Sequence, residues 1–143
     1  MFFKLAVAAL ISLVSVNSMA RDRIIQYAQL PQPAKAFIAA HFAGTQVSYV
    51  KFDDGKYELR MSDGSEVEFT GNGEWDNVDC EYRAVPKTVL ALIPAEISKY
   101  VAANFPGASI VKIDKERFSI QIELDNDLEL VFSKTGKFLR IDD

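Results

Sequence analysis

The sequence predicts an α+β fold of two tandem repeats, each a helix pair packed on a four-stranded antiparallel meander sheet. Three observations carry this expectation. The 143-residue chain matches itself at a constant offset of 63 residues without a gap, each copy opens with apolar residues at helical spacing, and each then alternates apolar and polar residues between tight-turn dipeptides. Self-similarity at a fixed period is the mark of a repeat architecture, and the change from a period near four to a period of two marks helix followed by sheet.

The first twenty residues stand apart. Lys4 precedes an apolar run from Leu5 to Val16, and Ser18-Met19-Ala20 then places small residues at both positions that determine cleavage. This is the layout of a secretory signal peptide cut after Ala20. About a dozen apolar residues are too few for a membrane span, which takes roughly twenty, and Arg21-Asp22-Arg23 follows at once. No Cys lies near the cut to carry a lipid, so the mature chain is expected to be soluble, periplasmic or secreted, with no membrane span. The expected organisation is a signal peptide over residues 1–20, a first repeat over 21–82 and a second over 83–143.

Each repeat should open with two helical segments. In the second copy Val85-Pro86 begins a short segment through Leu92, and Pro94 begins a longer one to about Asn104. Proline suits a first turn because its missing N–H would have no partner there. Ile97, Val101 and Phe105 recur every four residues on one side of the longer helix, and Gly107 sits where a left-handed residue would end it. The first copy repeats this with Ala34, Ile38, Phe42 and Gly44, preceded by a short segment around Arg23 to Gln29.

Four strands follow in each copy. Asp54-Gly55, Asp63-Gly64 and Asn72-Gly73 are dipeptides suited to two-residue hairpins with positive φ. They bound strands at about 46–52, 56–62, 65–70 and 74–79, with equivalents at 109–115, 118–125, 128–133 and 137–142. Alternation sends Tyr57, Leu59, Met61, Val67 and Phe69 toward the helices, and likewise Ile120, Ile122, Leu124, Leu130 and Phe132. Trp75 with Val78, and Val47 with Val50, are spaced by three, which predicts a bulge or strong coiling in those strands. A unit of about 60 residues is marginal alone, so the two copies should pack together, joined near Cys80 to Ala84.

Composition narrows the function. The chain is 49% apolar and 25% charged, which is globular rather than disordered. A net charge of −4 with no basic stripe excludes a phosphate-driven nucleic-acid binder. With one His and one Cys, a nucleophile–base pair has almost no raw material. His41, at the end of the first long helix, is expected to be a surface residue favoured by the helix C-terminal dipole. Cys80 cannot pair internally and is expected to be a small, partly packed residue. Asp53-Asp54 and Asp125-Asn126-Asp127 fall at turns, where Asp and Asn serve the backbone, and neither fits a calcium loop ending in a bidentate Glu. No metal, cofactor or catalytic residue is therefore expected.

Several motifs in order, Gly73-Glu74-Trp75 with Val78-Asp79, Val85-Pro86, Asn104-Phe105-Pro106-Gly107-Ala108, and Gly136-Lys137-Phe138 with Ile141-Asp142, carry a family resemblance. Across the mature chain the sequence resembles the PepSY-like family of exported bacterial proteins, described as β-lactamase-inhibitor-like, whose members carry tandem helix-and-sheet repeats. Ala43 departs from the second copy's Pro106 but leaves Gly44 in place. The resemblance implies a non-enzymatic interaction module that covers a partner with an open sheet surface, as an inhibitor of a hydrolase would. Fold alone does not assign function.

The outward face supplies the candidate residues. Glu58, Glu66, Glu68, Glu123 and Glu129 form an acidic row, with Arg60 and Gln121 as contrasting polar neighbours. The row reads either as a solvated face kept soluble by charge or as a docking face for a basic or amphipathic protein of the cell envelope or outside the cell. The competing expectation is a periplasmic small-ligand or cation-binding protein that uses the cleft between the repeats.

Overall fold

The computed structural model describes residues 22–142, so the expected signal peptide lies outside the described residues. Nine strands run in sequence order through one antiparallel sheet: β1 (Asp22–Ile25), β2 (Val47–Asp53), β3 (Lys56–Met61), β4 (Glu66–Phe69), β5 (Trp75–Asp79), β6 (Ile110–Lys115), β7 (Ser119–Leu124), β8 (Glu129–Ser133) and β9 (Phe138–Asp142). Three helices are α1 (Gln32–His41), α2 (Lys87–Leu90) and α3 (Ala95–Asn104). Strands β2 to β9 lie within one residue of the expected spans.

Two features of the sheet architecture differ from expectation. The copies do not keep separate sheets: β5 pairs with β6 through Asn77–Asp114, Val78–Ile113 and Asp79–Lys112, making the sheet continuous. The segment around Arg23 to Gln29, expected as a short helix, is instead β1 followed by a three-residue 3-10 turn, Tyr27–Gln29. β1 adds to the edge at β2, with Ile25 opposite Val50. Adding a strand there satisfies backbone groups that an exposed edge would leave to water.

Of the three expected two-residue hairpins only the first forms. Asp54 and Gly55 both take positive φ, 55° and 81°, the two-residue turn that matches strand geometry. The next two loops are longer by one residue. In the first of them Gly64 N–H donates to Met61 O and Met61 N–H to Ser65 O, a type I turn closed by a glycine bulge. Thr70 to Glu74 repeats it with Gly73, and Ser133 to Lys137 with Gly136. Leu124 to Leu128 repeats it with Asp127 at φ 70°, a position where Asp tolerates what β-branched residues do not.

The helix ends differ between copies. Gly107 has the expected positive φ of 88° behind Pro106, whereas Gly44, behind Ala43, does not enter the left-handed region. Both ends close the same turn, Thr45 N–H to Phe42 O and Ala108 N–H to Phe105 O. The hydrogen bond survives in either form because turns with and without positive φ at the third position share it.

The expected bulges are present. Register shifts between Val47 and Tyr49 and between Ile110 and Lys112, and again where Trp75 and Phe138 enter β5 and β9. One hydrophobic cluster runs through both copies and includes Leu59, Val67 and Phe69 with Ile38, and Ile122, Leu130 and Phe132 with Ile97 and Val101. The helices lie on this face. Phe37 of α1 stacks on Trp75 at 5.6 Å and meets the edge of Phe69 at 5.5 Å. At an offset of 63, Tyr100 of α3 stacks on Phe138 at 4.4 Å and meets Phe132 edge-on at 5.6 Å. The sequence repeat is thus a repeat of one aromatic joint between helix and sheet, a geometry that adds to the burial of each ring.

Candidate functional site: the uncovered face of the sheet

The residues of each strand that do not meet the helices build the opposite face. Strand pairing aligns them in two rows. One runs Ile24, Lys51, Glu58, Glu68, Asn77, Asp114, Gln121, Val131, Arg140, across all nine strands. The other runs Tyr49, Arg60, Glu66, Asp79, Lys112, Glu123, Glu129, Asp142. All seven sequence candidates stand on this face and all are half-buried.

They do not form one continuous group. Glu58, Arg60, Glu66 and Glu68 share the β3–β4 pair, while Gln121, Glu123 and Glu129 share β7–β8. β5 and β6 separate them and bring Asp79, Lys112 and Asp114 between, residues that sequence reasoning missed. Period-two patterning marks these three as outward-facing, yet β5 and β6 are joined by no tight turn, so nothing local predicts their register.

The first group is the more crowded. One carboxylate oxygen each from Glu58, Glu66 and Glu68 lie within 4.8 Å of one another. Burial, a hydrogen bond shared with Glu58 and the Glu58 charge push the Glu66 carboxyl up to about 7, against the opposing pull of Arg60. Glu68 is raised as well, by burial first and then by the Asp76 charge. Arg60 steadies the group: its Nη2 lies 2.9 Å from Glu66 Oε2 and its Nη1 donates to Gly64 O at 3.1 Å. Lys56 Nζ pairs with Asp76 Oδ2 at 2.9 Å, and that hydrogen bond raises the lysine. Side chains that repel one another are held side by side because the register leaves them no other place.

A second acidic concavity lies where the copies join. A cavity of about 310 Å³ is lined by Asp79, Glu81, Tyr82, Glu123, Asp125 and Asp127, with Val111 and Leu124. Beside it Asn126 serves its own turn, its Oδ1 accepting from Leu128 N–H at 3.2 Å, whereas Asp125 Oδ1 accepts from Ser109 N–H at 3.2 Å across to the neighbouring segment.

The two residues with nucleophile or base chemistry lie elsewhere. His41 Nδ1 is 2.7 Å from Thr88 Oγ1, and its ring lies 4.5 Å from Phe37, so it ties α1 to α2 rather than only facing solvent. Burial lowers its pKa, against the rise expected from a helix C-terminus. Cys80 is 3% exposed and its thiol is raised by burial, the reverse of an activated thiolate.

Comparison with known proteins identifies the family and related folds. The family described as "Putative beta-lactamase-inhibitor-like, PepSY-like" matches residues 17–64 and 55–140. A "putative calcium-regulated periplasmic protein" of Bacteroides thetaiotaomicron is 36% identical, with a TM-score of 0.79 over 85% of this chain and 97% of its own. A "putative periplasmic protein of unknown function" from Bacteroides vulgatus is 37% identical, with a TM-score of 0.80 over 85% and 99%. A second Bacteroides vulgatus protein, of the DUF2874 family, is 36% identical, with a TM-score of 0.77 over 85% and 97%. No curated protein matches the chain. With the motifs, the aromatic joint and the family match all running through both copies, this periplasmic chain belongs to the PepSY-like family.

Proposed function

We propose that this chain is a non-enzymatic binding module that docks a positively charged protein surface on the uncovered face of its sheet. The observation that carries this reading is the half-buried group Glu58, Glu66 and Glu68, assembled at an electrostatic cost that a partner's cationic side chains would relieve. Arg60, and the outlying Gln121, Glu123 and Glu129, would set orientation at the margin. The family's description as β-lactamase-inhibitor-like favours a hydrolase as the partner. Retention of envelope proteins on the immobilised chain at low and moderate salt tests it. A protein held by the wild type, released by salt and lost with Glu58→Gln/Glu66→Gln/Glu68→Gln supports the reading, and retention unaffected by the triple substitution overturns it.

A second reading has its own support. Three carboxylates within 4.8 Å could contribute to the six to eight oxygens that calcium takes, and a relative 36% identical is described as calcium-regulated. Calcium at this group would displace the Glu66 proton, so titration with calcium chloride alone should bind more tightly at about pH 8 than at about pH 6. Heat of binding that persists in the triple Gln variant would place the cation elsewhere.

A further inference from the structure

β9 forms one edge of the sheet. Its repeat counterpart, β5, lies inside the sheet beside β6, and its Val78 is fully buried. Ile141, 63 positions after Val78 and opposite the core residue Leu130, is 47% exposed, and Leu139 is 46% exposed. The opposite edge is treated differently. There β1 sets Ile25 against Val50, in the place that Val78 takes against Ile113 in the second copy, so the first copy has a strand on that side. β9 has no such neighbour among the described residues.

The chain itself shows what such a neighbour looks like. β6 covers β5 with Lys112-Ile113-Asp114, a basic–aliphatic–acidic triplet that sets Lys112 opposite Asp79 and Ile113 opposite Val78. β9 carries the same triplet, Arg140-Ile141-Asp142. Two copies of β9 laid antiparallel about Ile141 would set Arg140 opposite Asp142 twice and Ile141 opposite itself, so the strand is complementary to its own copy. Within one chain Arg140 Nε and Asp142 Oδ1 are 4.0 Å apart, and both side chains are about half exposed, a contact worth little that pairing could exchange for cross-strand partners.

We propose that β9 is a self-association edge, on which a second copy of this chain pairs antiparallel about Ile141 and continues the sheet across a two-fold axis. The closed symmetry makes a dimer the end point, whereas a β9-to-β1 contact would propagate. A five-residue strand offers less than the area of a standard interface, so association is concentration-dependent. The acidic group on β3 and β4 takes no part in it.

Sedimentation equilibrium of the exported chain, at low salt and up to about 1 mM, tests this with charge reversals at two exposed positions. Arg140→Asp and Asp142→Arg each set like charges opposite one another and are expected to weaken the dimer about tenfold or more, and Arg140→Asp/Asp142→Arg to restore it to within about threefold. A wild-type chain that stays monomeric overturns the proposal. A dimer indifferent to the single reversals, or one that the double reversal does not recover, does the same.

Discussion

Glu66 keeps its proton to about pH 7 in the folded chain, against an ordinary value of 4.5. Between these values the folded state binds more protons than the unfolded one, so this group's stabilising contribution is complete below about 4.5 and is lost as pH rises through about 7. Screening on a half-open face holds the effect to about 1 kcal/mol. Glu66→Gln is expected to remove that slope and to stabilise the chain at alkaline pH, as urea midpoints at about pH 5 and about pH 8 would show. A midpoint for Glu66→Gln that falls below the wild type at the higher pH would contradict it. His41 acts with the opposite sign: its pKa is lowered by burial, so its contribution is present above 6.5 and is lost as pH falls below that value. At this scale the sequence was informative about Glu58, Glu66 and Glu68, because alternation alone decides their side of the strand. It was uninformative about the Thr88 partner of His41, a contact 47 residues away.

Elements were legible wherever a local rule decides them. The bulges showed as apolar residues three apart, and the turns as Asp-Gly and Asn-Gly pairs, because each needs a particular backbone that few residues accept. β1 was hidden: Ile24 and Ile25 are adjacent, four residues show no period, and the strand exists only because β2 offers an edge. Two glycines bring turns of the sheet close against the helix starts. A Cβ on Gly73 would stand 2.8 Å from Pro31 Cβ, and one on Gly136 2.8 Å from Pro94 Cβ, each at positive φ. At Gly55 and Gly107 φ is also positive but the space is open. Gly73→Ala and Gly136→Ala are expected to cost about 2–3 kcal/mol, and Gly55→Ala and Gly107→Ala about 1 kcal/mol, in denaturant unfolding. Equal losses at all four positions would show that the close approach of the helix starts has no part in stability.

At the scale of the molecule, the joining of the copies decides how the chain unfolds. Val78 and Ile113 are both fully buried, pair across β5 and β6, and belong to the cluster that runs through both copies. One cooperative transition is therefore expected, with calorimetric and van't Hoff enthalpies equal. Ile113→Ala should lower it as a whole by about 2–5 kcal/mol. Two separable transitions would mean that each copy carries its own stability. The repeat itself was plain from the sequence, whereas the merger was not, since β5 and β6 are separated by two helices and a long connection rather than a turn.

A continuous sheet also fixes where its acidic groups look. Neighbouring strands in a sheet are rotated by roughly 20–25° each, and β7 lies four places beyond β3. At that twist the Glu58–Glu66–Glu68 group and the Glu123–Glu129 group would face directions about 80–100° apart. What reads as one row in the sequence would then be two facets of a twisted surface. A flat, rigid partner can rest on either facet, and only one that wraps around the sheet can engage both.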